Sequence, residues 1–220
     1  MRILVAIVAI GFAAALALVA WLALRGPTEA QSKRIAAVLE DPAPADEPAA
    51  YAPCASCHLH DGSGRPDGSI PQLNAQRRAV LENKLHRLRL GTLHIPVMDP
   101  FARSMNAAEV SEVARYLSEL PLTEASAAEL TSAERASAAS TFAQHCAACH
   151  GPNGEGNDGV MASRLCGQYA GYLERRLDEF RSGARGAADA IMQGIVDTVP
   201  NEDLRLVVGW LSAGEGCVGP

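Results

Sequence analysis

Two five-residue segments of this 220-residue chain carry the residue types best suited to chemistry, Cys54-Ala-Ser-Cys57-His58 and Cys146-Ala-Ala-Cys149-His150. With six cysteines and six histidines in the whole chain, chance places this pattern far less than once, so two copies are not accidental. Thiols three residues apart can add to the two vinyl groups of one haem, and the adjacent histidine then reaches the iron from the same side. A zinc half-site and a thiol redox pair use similar cysteines. Zinc, however, demands further ligands at short spacing, and a redox pair needs no histidine next door in both copies. Two covalently bound haem c groups are expected, one on Cys54, Cys57 and His58, the other on Cys146, Cys149 and His150.

An iron held by one histidine needs a sixth ligand or an open site, and that choice separates a carrier from a catalyst. The first half offers Met98, Met105, His60, His86 and His94; the second offers Met161 and Met192. Met98 and Met192 are repeat mates and each precedes the last helix of its half, so these two are the expected sixth ligands. Met105 has Val199 as its mate and reads as core or loop, and Met161 follows the haem motif too soon. His60 is too close to His58 to cross a haem, His86 has Asp178 as its mate, and His145 has Pro53, which makes the last two surface histidines. His94, in the same loop as Met98, is the serious rival. A thioether favours ferrous iron and fills the open position, so His58/Met98 and His150/Met192 ligation points to electron transfer and away from turnover.

The elements that must position these groups repeat along the chain. At an offset of 92, Gly62 and Gly64 map onto Gly154 and Gly156, and Leu81, Leu85 and Leu88 onto Leu173, Leu177 and Phe180, a helical stripe in each copy. Gly91 and Gly183 then close those helices. Beyond them the offset becomes 94, and Val110, Val113, Tyr116 and Leu117 map onto Leu204, Val207, Trp210 and Leu211. The pattern predicts a duplicated, all-helical haem domain. Boundaries are expected at 51–121 for the first copy, 122–132 for a linker and 133–220 for the second, which opens with the capping-box pattern Thr131-Ser-Ala-Glu134.

Residues 3–24 are apolar apart from Gly11, and a helix of that length spans a hydrocarbon core of about 30 Å. Residues 1–25 are therefore expected to be a membrane anchor or uncleaved signal, with Thr28-Glu-Ala30 a poor cleavage site, followed by a proline- and acid-rich spacer over 26–50. The net charge of −6, with no run of Lys or Arg longer than two, excludes a nucleic-acid partner. Only 5% of the residues are aromatic, too few for two ordinary cores unless a large apolar prosthetic group fills each.

Over about residues 51–217 the chain resembles the class I c-type cytochromes and, as a tandem pair, the dihaem cytochrome c₄ family. The resemblance rests on both haem motifs, the Gly-x-Gly loops, Pro71-Gln-Leu-Asn-Ala-Gln76, the methionines, and the last helices bearing Tyr116 and Trp210. It implies an all-α fold of two tandem cytochrome c domains in which the first and last helices cross at an aromatic contact, Phe142 with Trp210 in the second domain. It also implies that the Pro71 carbonyl orients His58. Two departures stand out: Ala50 and the prolines 48 and 53 in place of a regular first helix, and Ser163 in place of Pro71, which predicts a weakened contact to His150.

Cys166 and Cys217 belong to neither motif, and three fates are open: a disulfide, free or partner-linked thiols, or Cys166 as a thiolate ligand in a dihaem sulfur-oxidising enzyme. Taken with the anchor, the resemblance implies haem domains on the periplasmic side of a bacterial inner membrane. The implied partners are a quinol:cytochrome c reductase and a terminal oxidase, and the alternative is a cytochrome subunit of an oxidase or dehydrogenase complex.

Overall fold

Pro48 opens the first element, a single 3₁₀ turn over Ala49–Tyr51 that runs into helix α1, Ala52–His58. Pro53 sits in the first turn of α1, where its missing N–H costs nothing. The prolines thus shorten the entry helix without abolishing it. In the computed structural model, residues 43–123, 125, 129–184, 190–214 and 217 are described. The expected anchor over residues 3–24 lies outside them, as does most of the spacer. Among the described residues no helix is long and apolar enough to cross a membrane.

Helix α2, Arg78–Arg89, ends in a Schellman turn: Thr92 N–H donates to Arg87 O and Gly91 N–H to Leu88 O, with Gly91 at φ +72°. Two more helices complete the first repeat, α3 over Asp99–Ser104 and α4 over Ala107–Glu119. Asn106 and Glu109 cap α4 reciprocally, each side chain accepting from the other's backbone N–H.

The second repeat opens with the long helix α5, Ser132–His145, whose Thr131–Glu134 capping box forms as the sequence predicts. Short α6 covers Ala147–His150. Helix α7, Ala170–Arg181, matches α2 at the offset of 92 and closes on Gly183 at φ +68°. Helix α8 spans Ala190–Thr198, and α9, Asn201–Ser212, is the mate of α4. Asn157 and Ala162 form an isolated bridge, and the described residues are otherwise helix, turn and loop.

Residues 44–220 form one compact unit. Within it each repeat keeps two apolar clusters. In the first, Tyr51, Ala55, Leu81, Val110, Val113 and Leu117 pack where the entry helix meets α4, while Leu88, Leu93 and Ala102 form a separate group. In the second, Phe142, Leu173, Val207 and Leu211 pack where α5 meets α9, and Val196, Val199 and Leu204 form the separate group.

Tilted ring pairs mark both crossings: Phe142 with Trp210 at 5.2 Å between centroids, and Tyr51 with Tyr116 at 5.4 Å. The alignment puts Ala50 opposite Phe142, yet the ring is one residue later. The 3₁₀ turn winds more tightly than an α-helix and carries Tyr51 into the place Ala50 would have held. Its hydroxyl donates to Leu59 O at 2.8 Å.

The repeats meet through a mirrored set of amide contacts. Gln72 N–H donates to Gln168 Oε1 at 3.1 Å and Gln168 Nε2 returns a bond to Gln72 O at 3.0 Å. Arg164 N–H donates to Gln76 Oε1 at 2.7 Å and Gln76 Nε2 to Arg164 O at 3.1 Å. The offset of 92 takes Gln72 to Arg164 and Gln76 to Gln168, so these are one contact seen from its two sides, the signature of an approximate two-fold.

Candidate haem sites

Cys54 and Cys57 lie one turn apart on α1, so their side chains share a face, and His58 ends the same helix. Cys146, Cys149 and His150 repeat the arrangement around α6. None of these four cysteines is in a disulfide. Burial pushes the Cys54 thiol above its usual range and the Cys146 thiol to about 11, helped by the neighbouring Cys149.

His58 and His150 are both buried. His58 Nδ1 lies 3.2 Å from Pro71 O, and His150 Nδ1 lies 2.8 Å from Ser163 O. A carbonyl oxygen only accepts, so Nδ1 carries the proton in each ring and the Nε2 lone pair is left free for a metal. Burial also lowers both pKa values, against the opposing pull of the carbonyls, and keeps the rings neutral as ligation requires. Ser163 makes its contact as well as Pro71 does, contrary to the weakening its departure predicts. The acceptor is a backbone carbonyl, which any residue type supplies.

Glycine makes the approach of that carbonyl possible. Gly64, at φ +69°, donates its N–H to His58 O, and a Cβ there would lie 2.4 Å from Pro71 O. Its mate Gly156 donates to His150 O, with a Cβ meeting Arg164 N at 2.7 Å.

The structure puts the methionines in the separate clusters. Met98, half-buried, packs on Leu88, Leu93 and Ala102 at the start of α3; Met192, half-buried on α8, packs on Val196, Val199 and Leu204. Each repeat therefore has a histidine-side cluster and a methionine-side cluster, where a domain of this size usually has one contiguous core. A flat apolar body between them fits this division and the scarcity of aromatics.

The rivals are placed elsewhere. His94 is 69% exposed and ion-paired with Asp99, Met161 is exposed in a left-handed turn, Met105 is buried in the histidine-side core, and His145 is exposed. Asp99 also accepts from Ile95 N–H at 3.0 Å and so braces the Met98 loop. In the second repeat Arg181 Nη2 donates to Val196 O at 2.9 Å, tying α7 to the Met192 helix.

Cys166 and Cys217 are joined in a disulfide with Cα atoms 5.8 Å apart, linking the segment after Ser163 to the end of the chain beyond α9. That pairing leaves no thiolate on Cys166 to serve as a ligand. Sequence reasoning missed three features: the ring of Tyr51, the amide contacts between repeats, and the bond from Lys84 Nζ to Ser163 Oγ at 2.8 Å. The amides had a signal, since glutamine recurs at Gln76 and Gln168, repeat mates at the offset of 92, and again at Gln72.

Comparison with known proteins agrees with this geometry. The cytochrome c family profile matches residues 136–213. A thiosulfate dehydrogenase electron acceptor from Stutzerimonas stutzeri (strain A1501) is 32% identical over 174 residues, covering 75% of this chain and 80% of that protein. The chain belongs to the dihaem cytochrome c family of cytochrome c₄ type. Cytochrome c₄ of Azotobacter vinelandii is 27% identical over 174 residues, 72% of this chain and 82% of that one. The crystal structure of reduced recombinant cytochrome c₄ from Pseudomonas stutzeri shares the fold, with a TM-score of 0.64 at 24% identity over 78% of this chain and 98% of that one.

As a cytochrome c₄-like protein, the chain is an all-helical tandem of cytochrome domains that binds two covalent haem c groups and carries electrons. The expected localisation at the inner membrane is corrected. The chain matches cytochromes c₄ over most of their length, and no described helix can cross a membrane. That expectation rested on the apolar run over residues 3–24 taken together with the resemblance, and apolarity measures the cost of contact with water, not where a protein resides.

Proposed function

We propose that this cytochrome is the electron-accepting partner of a dehydrogenase, of the thiosulfate-oxidising kind, with His58/Met98 and His150/Met192 as the axial pairs. The observation that carries the partner is the 32% identity, across three quarters of the chain, to a protein named as a thiosulfate dehydrogenase electron acceptor. Haem c, when bound, supplies a one-electron iron couple. The chain's own residues do the rest: the carbonyls of Pro71 and Ser163 hold each imidazole in its ligating tautomer, and Asp99 and Arg181 brace the segments that carry the methionines. A dehydrogenation releases two electrons, and two one-electron groups in one chain accept the pair. The first domain (residues 51–120) holds eight basic and seven acidic residues and the second (133–220) seven and eleven, so the two present different charge to partners.

Two measurements test the reading. Mixed with a thiosulfate dehydrogenase catalytic subunit and thiosulfate, the oxidised cytochrome should take up two electrons per chain. Reduction only by a quinol:cytochrome c reductase, followed by delivery to a terminal oxidase, would instead establish a free respiratory carrier. The ferric spectrum should show the weak far-red charge-transfer band of methionine-ligated iron, reduced by half in Met98→Ala and in Met192→Ala. High-spin bands in the unmutated protein would overturn the axial assignment.

A further inference from the structure

The two haem-ligating histidines are held alike by backbone, and each holding segment meets a cation from the other repeat. Among the described residues, however, the cation bonds the histidine-holding residue itself at Ser163, whereas Arg175 reaches Gly68 O and Ser69 O ahead of Pro71. Lys84, on α2 of the first repeat, donates from Nζ to Ser163 Oγ at 2.8 Å, and Ser163 O is the acceptor for His150 Nδ1, also at 2.8 Å. The approximate two-fold sends Lys84 to Arg176 and Ser163 to Pro71. The mirrored contact is not built. Pro71 has no hydroxyl, and Arg176 is engaged within its own helix, by Glu179 at 2.8 Å and over the Tyr172 ring at 5.1 Å. The substitution of serine for proline, a departure that costs the histidine nothing, is what creates the anchor for the ammonium.

Resting on His150 as the ligand of the second haem, we infer that Lys84 is a positioning residue that raises the reduction potential of the second haem and leaves the first alone. Reduction adds one electron and removes one positive charge from the site. A fixed cation nearby therefore stabilises the ferrous state more than the ferric. Ser163 alone separates the ammonium from His150, bonding one through its hydroxyl and the other through its carbonyl. Because Lys84 belongs to the first repeat, the effect exists only while the repeats stay packed.

The test is a redox titration of the two-haem protein, with the paramagnetically shifted haem methyl resonances assigning each wave to one domain. In Lys84→Gln the reduction equilibrium of the second haem should shift by about three- to tenfold toward ferric, tenfold being about 59 mV for one electron. The first haem should not move. Lys84→Arg should keep the unmutated value, and Ser163→Ala, which frees the ammonium but keeps its charge, should give a smaller shift of the same sign. An unchanged second haem in Lys84→Gln, or equal shifts in both haems, overturns the inference. If Lys84→Gln fails to load both haems, Ser163→Ala decides: a selective drop supports the role, and no drop overturns it. Persistence of the low-spin second haem in His150→Ala would refute the ligand assignment separately.

Discussion

Gly64 shows how closely the ligating residues depend on their backbone. Its N–H holds His58 O while its bare Cα lets Pro71 O come near enough to bond His58 Nδ1. Gly64→Ala meets two costs, a left-handed φ of +69° and a Cβ 2.4 Å from Pro71 O. Gly91→Ala meets only the first, since φ is +72° but nothing lies within 4 Å of its Cβ. Denaturant unfolding should therefore find about 1 kcal/mol lost in Gly91→Ala and clearly more, about 3 kcal/mol, in Gly64→Ala. Equal losses would show that the close approach of Pro71 does not matter. Glycines and haem motifs are legible in sequence because a single residue type is required there. The contact of Ser163 was misjudged because a backbone carbonyl does not depend on the residue that bears it.

Among the elements, the helices that lead into the haem motifs differ most between repeats. α5 is a regular, capped helix of 14 residues, and Thr131→Ala should cost it about 1 kcal/mol, measured as a lowered thermal midpoint. The entry to the first domain has only α1, of seven residues, behind a 3₁₀ turn, and relies instead on the fully buried Tyr51 and its bond to Leu59 O. Periodicity located α2, α4, α7 and α9 because each has an apolar stripe. It could not place Tyr51, because a change of helix type shifts the register by one residue without altering composition. The second domain has its own fastening in the Cys166–Cys217 disulfide, which closes a separation of 51 residues. Replacing both cysteines by alanine should lower unfolding free energy by about 4 kcal/mol in the chain-entropy model. A loss below about 1 kcal/mol would mean that the unfolded chain is already restrained there.

At the scale of the whole molecule, the polar contacts that pack the two repeats include two kinds that respond differently to pH. Their sequence signal is weak, since hydrogen bonds between repeats leave no hydrophobic period. The mirrored amides are largely buried and do not titrate, so Gln76→Ala, which strips the partner from Arg164 N–H, should cost about 1–3 kcal/mol at any pH. The other kind is the bidentate pair of Arg77 with Asp158, at 3.0 and 2.7 Å, with side chains 40% and 46% exposed. Exposure limits such a pair to about 0–1 kcal/mol. Its bond to Arg77 holds the Asp158 carboxyl below its ordinary 3.8, against the opposing pull of desolvation. A depressed carboxyl binds protons more readily in the unfolded chain, so its stabilisation is complete above the ordinary value and is lost as pH falls through the folded one. Unfolding free energies of the unmutated protein and Asp158→Asn should therefore differ slightly at neutral pH and converge in acid below the folded value. Gln76→Ala should stay below both throughout. Convergence of Gln76→Ala instead would place the titrating contact, not the amides, at the centre of the interface.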